Sequence, residues 1–187
     1  GQLAGISNTD WSWAALLADY DNDGWKDLFV TNGFVRDYTN LDFMKYMSDF
    51  TQSRQGKIMR QDILELVHQI PSSNVANYMF RNNGGSTFDN MQANWGFTTS
   101  ANSNGASYAD LDNDGDLDLV VNNINKAAFI YRNDADTLAG QHYLQVALEG
   151  EGMNTLGVGA KVQIRYQGKQ QYLEQMPTRG YQSSVSP

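Results

Sequence analysis

Two stretches of small and apolar residues, Trp13–Ala18 and Gly105–Ala109, are each followed by a polar window and then by a β-branched, apolar run, Asp27–Thr31 and Asp118–Asn122. Runs of that kind read as buried strands, so each polar window joins strand to strand. A further matched pair, Asn77–Arg81 and Ala128–Arg132, reads as a third strand of each unit, followed by the turn residues 82–85 and 133–136. Between 37 and 73 the period changes. Phe43, Tyr46, Met47 and Phe50 recur at helical spacing behind a capping Thr39 or Asn40, and Met59, Ile63, Leu66, Val67 and Ile70 do so until Pro71. Two amphipathic helices are predicted there. From His142 onward the pattern alternates in twos. Leu144, Val146 and Leu148 share one face; then Val158, Ala160, Val162, Ile164 and Tyr166 oppose Lys161, Gln163, Arg165 and Gln167. Gln167-Gly168 predicts a hairpin turn into 171–176.

The first two strands and the window between them form an internal repeat with an offset of 91 residues from Asp19 to Asp110. Setting aside the 37 residues of the helical stretch leaves 54, close to the roughly 40 to 50 residues of propeller repeats. Closed propellers need about four to eight blades, and two units are visible. With Gly1 first and Pro187 ending an irregular segment, the expectation is a part of a longer protein.

Charge sharpens the picture once it is located. Of 21 acidic residues, nine lie in the two windows, Asp19-Tyr-Asp-Asn-Asp-Gly-Trp-Lys-Asp27 and Asp110-Leu-Asp-Asn-Asp-Gly-Asp-Leu-Asp118, and the net charge is -8. Both windows read DxDxDGxxD. Carboxylates at positions 1, 3, 5 and 9 repel one another unless a cation sits between them, and the glycine at position 6 permits the turn that wraps it. A hard divalent ion with oxygen ligands, typically calcium, suits such a set. Position 7 contributes its backbone carbonyl, which makes Trp25 and Asp116 main-chain ligands. An EF-hand would need a glutamate at position 12 and flanking helices, whereas Val30 and Val121 stand there inside strands. The expected metal ligands are therefore Asp19, Asp21, Asp23, Trp25 and Asp27, and Asp110, Asp112, Asp114, Asp116 and Asp118, for two calcium ions. The fold class that follows is mainly β: partial β-propeller blades with calcium loops, a two-helix insertion at about 37–73, and a C-terminal β-sandwich-like region. The domains are expected at 1–140 and 141–187.

The absence of cysteine removes disulfide scaffolds, zinc ribbons and thiol nucleophiles. No basic stripe offers a nucleic-acid footprint, and no apolar run approaches the roughly 20 residues of a membrane span. His68 lies off the apolar stripe of its helix and His142 opens a strand beside no nucleophile, so no catalytic residue is named and no enzyme is expected.

The paired strand, DxDxDGxxD and strand units, with Asn104-Gly105-Ala106 before the second loop and Tyr78-Met-Phe-Arg-Asn-Asn-Gly-Gly85 after the first, resemble FG-GAP/VCBS repeats of integrin-like β-propellers. Gly157-Val-Gly-Ala-Lys-Val followed by Met176-Pro-Thr-Arg-Gly-Tyr-Gln-Ser-Ser resembles the start of an ASPIC/UnbV domain, which follows such repeats in secreted proteins similar to cartilage acidic protein. The resemblance implies an extracytoplasmic, calcium-stabilised module, secreted or associated with the outer membrane. It implies no reaction. The leading expectation is a non-catalytic binding or assembly module that recognises a glycan or a protein partner at the cell surface, in one version as part of an outer-membrane uptake complex. Trp11, Trp13, Trp25 and Trp95 are candidate sugar platforms, with Trp13 and Trp95 weighed as core and Trp25 as outward-facing. The alternative is an accessory part of a calcium-dependent polysaccharide lyase or hydrolase whose active site lies outside this segment.

Overall fold

The computed structural model describes residues 1–186 except 125, 139 and 141; Pro187, expected to close an irregular segment, lies outside the described residues. Strands β1 (Ser12–Ala18), β2 (Asp27–Asn32), β3 (Val75–Ala76), β4 (Tyr78–Asn82) and β5 (Phe88–Asn90) belong to the first half. They are followed by β6 (Ser100–Ala101), β7 (Ser103–Ala109), β8 (Asp118–Asn123) and β9 (Phe129–Tyr131). An antiparallel sheet runs in the order β1-β2-β4-β5 and a second in the order β7-β8-β9, while β3 pairs with β6. The repeat is metrically faithful. β1 and β7, like β2 and β8, are displaced by 91 residues, and the register irregularity between Ser12 and Ala15 recurs between Ser103 and Ala106. Neither sheet closes a barrel, and the mainly β architecture with partial blades and two helices is the one the pattern predicts.

β2 is buried along its whole length because it is covered on both faces. Phe29 faces a core shared between the sheets, with Ala14, Leu16, Met79, Ala106, Leu119 and Val121, whereas Leu28 and Val30 meet Phe80 on the other side. Burial of this completeness, at about 25 cal/mol per Å² of apolar surface, makes the inter-sheet core the main source of cohesion. The polar positions of the same strands tie the sheets together. Thr31 Oγ1 accepts from Ala14 N at 2.9 Å and donates to the Asn104 carbonyl of the other repeat at 2.6 Å. Asn77 accepts from Asn32 N and donates to Ser103, whose hydroxyl donates to Asn123.

Helices α1 (Leu41–Ser53) and α2 (Arg60–Gln69) occupy the insertion. Of the two candidate caps, Asn40 is the one used: its side chain accepts from Phe43 N at 3.0 Å. Asp62 closes the first turn of α2 by accepting from Met59 N at 2.8 Å, and pairs with Arg54 at 3.3 Å. The expected apolar stripes are only partly covered. Of the stripe residues, Phe43 is buried and Phe50, Leu66, Val67 and Ile70 are half-buried, while Tyr46, Met47, Met59 and Ile63 stand exposed, as do Met44 and Leu64 outside the stripes. The blade core closes without them.

At the C-terminal end, β10 (Lys161–Tyr166) and β11 (Lys169–Glu174) pair in register across Gln167-Gly168, both with positive φ, 46° and 80°. That is the two-residue turn foreseen. The alternating segment 142–148 differs from the expectation. It forms no strand, because none of the described strands offers it a ladder, and Tyr143, Leu144 and Val146 are exposed. The C-terminal β region is thus a single hairpin, followed by a tail that returns to the blades. Tyr181 packs against the inter-sheet core and against Trp13, with ring centroids 4.9 Å apart, and Ser107 Oγ donates to the Ser184 carbonyl.

Candidate metal centre

Each acidic window is the turn between the first two strands of its sheet, and the two turns are built alike. The glycine at position 6 has φ 93° at Gly24 and 96° at Gly115, a left-handed conformation that L side chains rarely adopt. Its N–H donates back to the first aspartate: Gly24 to Asp19 at 2.8 Å, Gly115 to Asp110 at 3.2 Å. The N–H at position 7 donates to the fifth-position carboxylate, Trp25 to Asp23 and Asp116 to Asp114. These bonds curl the backbone so that carboxylates converge.

In the first loop, carboxylate oxygens of Asp19, Asp21 and Asp27 lie within 4.8 Å of one another; in the second, those of Asp110, Asp112 and Asp114 do. A third trio at the same spacing is Asp114, Asp116 and Asp136. Such acidic clusters can hold a metal ion. The ninth-position residues also brace the fold. Asp27, fully buried, accepts from Tyr20 N at 3.1 Å and Asn82 N at 2.8 Å, and Asp118 accepts from Leu111 N at 2.9 Å and Asn133 N at 2.8 Å. Asp23 stands outside its loop's trio, with Oδ2 3.1 Å from Arg81 Nη2. Trp25 is half exposed above Gly84, with Lys169 Nζ 6.0 Å from its ring.

Burial dominates the electrostatics. It pushes Asp27 up to about 7 and Asp19 to about 6, against smaller opposing contributions from the backbone N–H groups of Asn82 and Gly24 respectively. Asp21 is raised as well, first by burial and then by Asp23, with Arg81 working the other way. Asp116 is pushed up to about 6, again chiefly by burial. Crowded, desolvated carboxylates of this kind are stabilised by a positive charge placed among them.

Three residues escaped the sequence reading. Arg81 and Arg132, at the ends of β4 and just past β9, reach the third-position aspartates, at 2.7 Å to Asp21 and 3.4 Å to Asp112. Their equivalence is visible in the matched strands Tyr78–Arg81 and Phe129–Arg132, but their direction is not. Asp136 lies beyond the last strand of its sheet, and nothing in its local sequence marks it. The tryptophans are engaged within the chain. Trp11 stacks on Phe34 at 4.3 Å, Trp13 Nε1 donates to the Gly33 carbonyl, and Trp95 packs on the inter-sheet core. His68 and His142 are exposed.

The family model of the FG-GAP-like repeat matches residues 60–121, and that of ASPIC and UnbV matches residues 150–187. The second acidic loop falls inside the matched repeat, and the first precedes it. A search of curated proteins returns no match.

Proposed function

We propose that this chain, in which an FG-GAP-like repeat precedes an ASPIC/UnbV domain within a repeat-containing module of the extracellular type, is a non-catalytic, calcium-stabilised assembly module acting outside the cytoplasm. Its docking element is the two-helix insertion. The observation that carries this reading is the apolar surface the insertion leaves uncovered: Leu41 is 80% exposed, Met59 63%, Ile63 52% and Leu64 56%. Unbranched and aliphatic side chains presented on helices suit a protein partner. A glycan platform would present free aromatic faces; Trp13 and Trp95 are committed to internal packing, and Trp11, stacked on Phe34, and Trp25 are each 39% exposed, less than any of these four aliphatic side chains.

Calcium is the proposed ion at both loops because every converging ligand is a hard carboxylate oxygen. Such an ion is structural: at 100 times Kd it adds roughly 2.7 kcal/mol per independent site. In this reading the partner belongs to the cell surface, in the manner of an outer-membrane uptake complex. Enzymatic work is not assigned to the clustered aspartates, since Asp27 and Asp118 spend both oxygens on backbone N–H groups.

The test is isolation of the complex formed by the full chain, beside a chain in which residues 40–70 are replaced by a short flexible linker and another carrying Ile63→Asp and Leu64→Asp. Loss of the partner in both variants, with calcium content unchanged, is the expected result. Retention of the partner, capture of a polysaccharide on a glycan array, or turnover of one by the chain would refute it.

A further inference from the structure

We infer that the second acidic loop holds an additional hard divalent cation, between Asp114, Asp116 and Asp136, beside the ion proposed for Asp110, Asp112 and Asp114. The two sites share Asp114, so the inference rests on the reading of this loop as a cation site. Carboxylate oxygens of Asp114, Asp116 and Asp136 lie within 4.8 Å of one another. The independent observation is an unpartnered buried carboxylate. Asp116 has no exposed surface; its Oδ2 accepts from Asp136 N at 2.8 Å, but its Oδ1 has no hydrogen-bond partner. Asp114 repeats the pattern, with Oδ1 accepting from Asp116 N at 3.2 Å and Oδ2 buried and unpartnered. Among the described residues no lysine or arginine pairs with any of the three; Arg132 is taken by Asp112 and Asp134. An ionised carboxylate oxygen buried without a donor or a cation is strongly disfavoured, and a shared ion would satisfy both.

The first repeat supplies an internal comparison. Aligning Arg81-Asn82 with Arg132-Asn133 places Gly85 where Asp136 stands, and position 7 is Trp25 where the second loop has Asp116. The Trp25 ring lies against Gly84, 3.3 Å from where a Cβ would sit. A tryptophan and a glycine thus stand where the second loop has two carboxylates. One carboxylate can bridge two divalent ions, as in two-metal sites.

The experiment counts calcium bound per folded chain, by native mass spectrometry and by equilibrium dialysis with metal analysis. The chains compared are the wild type, Asp136→Asn, Asp136→Ser and Asp21→Asn. Because the Asp136 side chain is exposed and its backbone N–H is retained, both substitutions keep the bond to Asp116. Each is expected to lose one ion relative to the wild type, to keep the remaining loop-two ion, and to leave the unfolding midpoint in chelator unchanged. Asp21→Asn should lose a different ion, so that combining it with Asp136→Asn removes two. An unchanged count on replacing Asp136 overturns the inference while leaving calcium binding intact. Loss of both loop-two ions overturns it too, since Asp136 would then support the loop rather than a site of its own. A wild-type chain that binds no calcium removes this inference and the calcium reading together.

Discussion

Raising the pH of the metal-free chain should destabilise it, in a range where most proteins are insensitive. The perturbation is chelation followed by titration from about pH 4 to about pH 8. Burial lifts Asp27 to about 7 and Asp19 to about 6 from an ordinary 3.8. Across that window the folded chain keeps protons that the unfolded chain has released. Stability therefore falls as pH rises above about 4 and levels off above about 7. At 1.36 kcal/mol per pH unit, Asp27 titrating alone would withdraw about 4 kcal/mol and Asp19 about 3 kcal/mol. They belong to one loop, so the joint loss is not the plain sum. Either figure is a large part of the 5–15 kcal/mol that holds a domain together. Calcium should flatten this dependence, because an ion among the carboxylates favours their charged forms. Urea unfolding followed by tryptophan fluorescence, with chelator and with millimolar calcium, measures both curves. A chelated chain as stable at pH 7 as at pH 4.5, or more so, would show that burial of these aspartates is not the controlling cost.

Two further outcomes follow from the geometry. Asp112→Ala should lower the unfolding midpoint in calcium clearly more than Asp89→Ala, since Asp112 belongs to a converging trio and Asp89 is an exposed strand residue whose replacement costs within about 0.5 kcal/mol; equal shifts in a thermal scan would contradict the assignment. Gly33→Ala should destabilise by more than about 2 kcal/mol in any buffer, because φ is 132° and the added Cβ would sit 2.5 Å from Asn102 Cα; a midpoint within a degree of wild type in calorimetry would refute that.

Strands β1, β2, β4, β7, β8 and β9 were legible because β-branched runs, turn residues and the 91-residue echo all pointed the same way, whereas the short β3, β5 and β6 left no such pattern. The hairpin was legible in Gln167-Gly168 for the same reason. Residues 142–148 show where alternation misleads: period two describes a face, and a face becomes a strand only when another strand offers its N–H and C=O groups. The helices were foreseen from Phe43 to Ile70, but how little of their apolar stripes the blades would cover is a property of the neighbours. At the candidate metal centre the spacing located the loops and not the division of labour within them. Asp27 and Asp118 look identical to their loop-mates in sequence, yet the fold aims two backbone N–H groups at each. Asp136 could not be found, since it meets Asp116 only after the chain has formed another strand and turned.

One hydrogen bond in this arrangement reaches further than its neighbours. Asn133 Nδ2 donates at 2.7 Å to the carbonyl of Tyr20, a residue of the first loop, while the Asn133 and Tyr20 amides are held by Asp118 and Asp27. A continuous path, Asp27–Tyr20–Asn133–Asp118, thus runs from one loop to the other. The path predicts that ordering one end prepares the other, and by thermodynamic reciprocity whatever filling the first loop does for the second is then returned in equal measure. Calcium titrations should therefore be steeper than those of two separate loops, and Asn133→Ala should make the loops fill independently. A wild-type isotherm that already fits independent loops would dissolve the link.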